Sequence, residues 1–134
     1  MVPIVEPEVL MDGKHNINKC YDVTSKVLEE TVKQLRIAGI DFSGMVLKPN
    51  MILNGKDSGI KNNKDEVADF TLKCIQNNLP TETPGVAFLS GGQSEFEATE
   101  NLNQINKQNK SSFAFTYSFG LSLIHISEPT RLER

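Results

Sequence analysis

Lys48 stands between the apolar run Met45–Leu47 and Pro49. A lysine at the end of such a run can attack a ketone, but only as the unprotonated amine. An ordinary lysine titrates near ~10.4, so this chemistry demands desolvation or a neighbouring positive charge. The imine that forms withdraws electrons and lets an adjacent carbon–carbon bond break or form. The plain alternative is a solvated lysine at a strand end. Glu6 and Glu8 flank Pro7, and on a strand they would point to the same face. One carboxylate could shuttle protons while the other holds a charge that tunes its neighbours. A charged strand end is the alternative. Ser90-Gly91-Gly92 lies just ahead of Ser94 and Glu97. Glycines let backbone N–H groups approach a phosphate, and a helix start adds a favourable dipole. A simple Gly-Gly turn would look the same.

These residues need elements to hold them, and the chain alternates short apolar runs with helical patterns. Val2–Val5 reads as a strand. Asn16 can cap a helix whose stripe is Ile17, Cys20, Val27, Leu28, Val32, Leu35 and Ala38, with Gly39 as its stop. Met45–Lys48 is the next strand, and the polar stretch Asn54 to Asn62 reads as a loop. Asn63 with Glu66 resembles a capping box for a helix presenting Val67, Phe70, Thr71, Cys74 and Ile75. Pro80 and Pro84 end that unit. Val86–Leu89 is a strand, Ser94 with Glu97 opens a helix carrying Ala98, Leu102 and Ile105, and Phe113–Phe119 is the last strand.

The order βαβαβαβ predicts an α/β fold with a parallel sheet and three intervening helices outside it. Functional residues then belong at the C-terminal ends of the strands. Those four ends lead into Glu6-Pro7-Glu8, Lys48-Pro49-Asn50, Ser90-Gly91-Gly92 and Gly120. Four such strands do not close a barrel, which takes roughly 200 or more residues. The expectation is part of a larger unit.

Bulk properties narrow the field. The chain has 134 residues, enough for one compact domain. A net charge of −3, without a basic cluster interleaved with aromatics, gives no reason to expect nucleic acid as partner. No apolar run approaches the ~20 residues that span a bilayer, so no membrane partner is expected. The opening segment lacks the basic start and long apolar core of a secretory signal. Cys20 and Cys74 both fall on helical stripes and read as buried free thiols of a reducing compartment. His15 and His125 are isolated, so no metal site is expected.

The segments Val2-Pro-Ile-Val-Glu-Pro-Glu-Val-Leu10, Leu47-Lys-Pro-Asn-Met51 and Phe88-Leu-Ser-Gly-Gly-Gln-Ser-Glu95 resemble the signatures of class I (Schiff-base) fructose-bisphosphate aldolases. Asn101-Leu-Asn103, Ile105-Asn-Lys107 and Phe115-Thr-Tyr-Ser-Phe-Gly120 continue the similarity, which covers residues 2 to 120 in order. The resemblance implies a partial (β/α)8 TIM barrel, roughly strands five to eight of the family fold. It implies that Lys48 forms the Schiff base, with Glu6 shuttling protons and Glu8 supporting it. Ser90, Gly91 and Gly92 would hold a substrate phosphate, with Gly120 a weaker contact. The implied reaction is reversible cleavage of fructose 1,6-bisphosphate, a glycolytic sugar phosphate, into dihydroxyacetone phosphate and glyceraldehyde 3-phosphate. No cofactor or metal is implied, since the imine serves as electron sink. The implied setting is cytoplasmic, with a homotetrameric full-length parent.

There are departures. The family's first four strands are not in this chain, and with them an acidic residue and further lysines of the site. Leu121 stands where the family has a phosphate-binding arginine, and Phe96 replaces a usual acidic residue. The segment Leu121-Ser-Leu-Ile-His-Ile-Ser-Glu-Pro-Thr-Arg131 resembles the translation of a transposase adapter used in sequencing libraries. Residues 1–120 are therefore expected to be the aldolase part and 121–134 a non-native tail. Little turnover is expected from the 134-residue chain by itself. The alternatives are a non-catalytic half barrel, or a Schiff-base aldolase acting on another sugar phosphate.

Overall fold

A computed structural model describes residues 13–89 and 93–116, together with the backbone of 4–5 and 117. Its strands are β1 (Ile4–Val5), β2 (Val46–Leu47), β3 (Gly85–Phe88) and β4 (Ala114–Tyr117). The helices α1 (Ile17–Ile37), α2 (Lys64–Asn78) and α3 (Glu95–Gln108) fall between them, and a short 3-10 turn, Phe42–Gly44, leads into β2. The strands form one four-stranded parallel sheet in the order β1-β2-β3-β4. Each strand lies beside its successor and each connection contains a helix, as the alternating pattern predicts.

Helix boundaries arise from local chemistry. The Asn16 side chain accepts from Lys19 N at 3.0 Å and opens α1. At its other end Gly39 takes φ 76°, its N–H bonds Arg36 O, and Ile40 N bonds Leu35 O. That pair of bonds is a Schellman closure, which a Cβ at position 39 would strain. Asn63 accepts from Asp65 N and Glu66 N at the start of α2. Ser94 and Glu97 exchange hydrogen bonds of 3.1 Å in both directions, a complete capping box for α3.

Burial alternates along the sheet. Leu47, Val86, Phe88 and Phe115 are buried and belong to one core with Leu28 of α1, Val67 and Ile75 of α2, and Ile105 of α3. Phe88 and Phe115 stack across β3 and β4 with centroids 5.7 Å apart. Val46, Gly85 and Ala87 are half-buried, and Ala114 and Thr116 are exposed. All three helices therefore pack on one face of the sheet. The expected stripe of α1 is buried at Ile17, Cys20 and Leu28, partly buried at Val32 and Leu35, and lost at Ala38, which is exposed.

Gly55 is the glycine that the packing requires. Its N–H bonds His15 O at 2.8 Å, so the chain after β2 lies against the segment before α1. A Cβ at Gly55 would stand 2.5 Å from Gly13 O and 3.0 Å from the His15 ring. Backbone on one side leaves little room to yield. Gly55→Ala is expected to destabilise the chain by about 1–3 kcal/mol, read as a lower urea midpoint at unchanged slope. Gly44→Ala, with nothing within 4 Å of its Cβ position, should change the midpoint far less.

Candidate functional site

Lys48 comes directly after β2, at the C-terminal end of the sheet. Leu89 N bonds Pro49 O at 3.0 Å, so the pairing of β2 with β3 runs on past Lys48. Side chains alternate along that extended backbone. Leu47 faces the helices, so Lys48 shares the face of Val46, away from them. The residue is half-buried. An amine on the helix-free face at a strand's C-terminal end is where barrel chemistry takes place.

Behind Lys48 the chain turns inward around the apolar residues Met51, Ile52 and Leu53. Pro49 through Gly55 are all buried. A buried turn must find partners for its polar groups. The Asn50 Nδ2 donates to Thr24 Oγ1 on α1 at 3.2 Å and to Met51 O at 3.1 Å. Ile52 N donates to Thr71 Oγ1 on α2 at 3.0 Å. Asn54 Oδ1 accepts from Ile17 N at 2.7 Å, satisfying a donor in the first turn of α1 that lacks a partner within the helix. Both Asn54 N and Asn54 Nδ2 donate to Asn62 Oδ1, at 2.8 and 3.0 Å. The turn carrying Lys48 is thereby fastened to two helices.

Beyond β3, Gln93 bridges two parts of the chain. Gln93 Nε2 donates to Met51 Sδ at 3.5 Å, and Gln93 Oε1 accepts from Asn101 Nδ2 of α3 at 2.6 Å. Asn101 is buried. Sequence reasoning missed Gln93, Asn101, Asn50 and Thr24 as parts of the site's frame. A polar residue on an otherwise apolar helical stripe, as Thr24 is on α1 and Asn101 on α3, was the available signal.

The other expected site residues, Glu6, Glu8, Ser90, Gly91, Gly92 and Gly120, lie outside the described residues, as does His125. Their neighbours are described. Ile4 and Val5 pair with Val46 and Leu47, and Val86 pairs with Leu47 on the other side. The strands preceding Glu6 and Ser90 thus flank the strand preceding Lys48. Among the described residues no group of His, Cys, Asp and Glu could hold a metal ion, and no helix is long and apolar enough to cross a membrane.

A sequence model of the glycolytic class-I fructose-bisphosphate aldolases matches residues 1–127. The chain belongs to the class I fructose-bisphosphate aldolase family. Cytosolic fructose-bisphosphate aldolase 4 of Arabidopsis thaliana is 47% identical over 124 residues, which are 92% of this chain and 32% of the relative. Chloroplastic fructose-bisphosphate aldolase 2 of the same plant is 45% identical over 122 residues, 90% of this chain and 31% of the relative. A co-crystal structure of the Plasmodium falciparum aldolase, with TRAP and a small-molecule inhibitor, superposes with a TM-score of 0.89 at 43% identity. It covers 98% of this chain and 38% of that one. The chain therefore spans about a third of the length of the aldolases it matches. Its parallel sheet with helices on one face is consistent with part of an aldolase barrel.

The two thiols of this aldolase segment sit where α1 meets α2. Both are buried and free. Burial pushes the Cys20 thiol up, against hydrogen bonds from the Leu53 backbone and Thr24. Burial pushes Cys74 up to about 11 from an ordinary 9.0, opposed by hydrogen bonds from Ser25 and Asn78 and helped by Cys20. A raised folded-state value means that the stabilisation is complete below pH 9.0 and is lost as pH climbs toward about 11. The loss attributable to Cys74 is about 2–3 kcal/mol. Urea unfolding at pH 8 and pH 11 should show it, and a Cys74→Ala chain should show a smaller drop over the same interval.

Proposed function

We propose that the full-length protein to which this chain belongs is a fructose-bisphosphate aldolase of glycolysis. It cleaves fructose 1,6-bisphosphate reversibly into dihydroxyacetone phosphate and glyceraldehyde 3-phosphate. The observation that carries this reading is Lys48: half-buried, at the C-terminal end of β2, on the face away from the helices, in a chain of the aldolase family.

An amine in that position accounts for the chemistry. The unprotonated Lys48 amine adds to the substrate ketone, water leaves, and a protonated imine remains. The carbon–carbon bond next to the imine carbon's neighbour breaks when the hydroxyl beyond it loses a proton. The bonding pair moves into the nitrogen-bearing fragment as an enamine, and the aldehyde fragment departs. Protonation of the enamine carbon and hydrolysis then release the ketone. Glu6 is assigned the proton transfers and Glu8 the role of fixing the charge around it. Ser90, Gly91 and Gly92 are assigned to one substrate phosphate, with Gly120 in support. Each of the two phosphates needs its own anchor, so a site with one loop is half a site.

In the same reading β1 to β4 are strands five to eight of the full barrel. The parent is a cytosolic homotetramer acting without metal or cofactor. Residues 121–134 are a translated adapter rather than aldolase sequence, although the family match ends within them at 127. Nucleotide sequencing decides that point: adapter bases starting right after the Gly120 codon support it, and a continuous genomic reading frame through residue 134 removes it.

Borohydride reduction in the presence of dihydroxyacetone phosphate tests the activity. A full-length barrel carrying residues 1–120 should gain a reduced adduct on Lys48, located by peptide mass spectrometry. No adduct there would sink the sugar-cleaving reading and favour another substrate. The 134-residue chain by itself should cleave fructose 1,6-bisphosphate negligibly, and turnover equal to that of a full-length relative would refute that expectation.

A further inference from the structure

We propose that Asn50, held by Thr24 of α1, is a positioning residue for Lys48: it turns the chain out of the sheet directly after the lysine and so fixes the backbone from which the amine reaches a ketone. This deepens the aldolase reading above and rests on it. Three restraints meet at Lys48, Pro49 and Asn50. A proline holds the residue before it extended, which confines Lys48 locally. Pro49 O accepts from Leu89 N at 3.0 Å, which ties the next peptide to the neighbouring strand. Asn50 Nδ2 donates to Thr24 Oγ1 at 3.2 Å and to Met51 O at 3.1 Å.

The third restraint carries the inference. Alternation continued past β2 would put residue 50 on the face of Val46 and Lys48, away from the helices. Asn50 is instead 1% exposed, with its amide against Thr24 on the buried stripe of α1. The chain therefore leaves the alternation of the sheet between Lys48 and Asn50, and the lysine is the last residue of its line on the helix-free face. An amide suits this task. One N–H reaches the helix while the other folds back on the turn's own Met51 carbonyl, and a hydroxyl could donate to only one of them. A buried donor deprived of its acceptor is costly, so the turn shifts to find another. Such a shift lies two residues from the amine. A small displacement of a reacting group slows attack steeply, even when the substrate is still bound.

The kcat and KM of the full-length barrel for fructose 1,6-bisphosphate cleavage test this. Thr24→Val keeps the branched shape and removes the acceptor, whereas Thr24→Ser keeps the hydroxyl. In Thr24→Val kcat should fall about 10-fold at unchanged KM, while Thr24→Ser should keep kcat to within about 2-fold. Asn50→Leu, which removes the amide at similar size, should match Thr24→Val. Should either of these two fail to fold, the other decides against Thr24→Ser. With kcat taken per folded molecule, a role confined to stability would lower the urea midpoint of Thr24→Val and leave its kcat intact, which would overturn the proposal. Equal losses in Thr24→Val and Thr24→Ser would overturn it too, as would a raised KM in place of the lowered kcat. Absence of any borohydride-trapped Lys48 adduct in the unsubstituted barrel would instead overturn the aldolase reading itself and this inference with it.

Discussion

Burial of the turn after β2 governs the rest of the arrangement. Seven consecutive residues, Pro49 to Gly55, are withdrawn from water immediately behind Lys48. Peptide groups in such a place cost on the order of 1–3 kcal/mol each if left without partners. They do not coil into a helix or pair fully as a strand, so side chains from elsewhere must meet them. Thr71 supplies an acceptor for Ile52 N, and Asn62 supplies one for Asn54 N. The Asn54 side chain returns the service to the start of α1. Because these partners sit on α1, on α2 and in the loop before α2, the turn cannot shift without breaking bonds to several parts of the chain. A half-buried lysine on such a turn inherits its fixed position.

The sheet explains why that fixed position is useful. Its helices cover one face only, the face of Leu47, Val86, Phe88 and Phe115. The opposite face carries small or less buried residues, Val46, Gly85, Ala87, Ala114 and Thr116. Lys48 continues that face directly beyond β2. Apolar burial on one side thus does two things at once. It supplies the stability, and it assigns every alternate residue to the side where chemistry is possible.

Much of this was legible in the sequence, for identifiable reasons. Caps at Asn16, Asn63 and Ser94 depend on residues within three positions, and each forms, Ser94 with the full capping box and Asn63 with its side-chain half alone. The Gly39 closure is equally local. Strand positions agree to within a residue or two, although β2 is assigned only Val46–Leu47 and Leu89 lies just beyond β3. The burial of Asn50, Asn54 and Gly55 was not legible. The stretch from Asn54 to Asn62 reads as a loop, and partners far back in the chain, Ile17 for Asn54 and His15 for Gly55, draw its start into the interior. Gln93 was hidden for the same reason, since its bond to Met51 spans 42 positions. In the candidate site Lys48 could be placed by parity alone, while a residue that works through another is invisible until the fold brings the two together.

The spacing of the β2 and β3 ends is then a matter of geometry at three levels. Adjacent parallel strands lie about 4.8 Å apart, so β2 and β3 set the coarse distance once Leu47 pairs with Val86. The Leu89 N–H on Pro49 O carries that register to the last residue before Ser90. On the far side, Gln93 is held by Met51 and Asn101, and Ser94 is held by its capping box with Glu97.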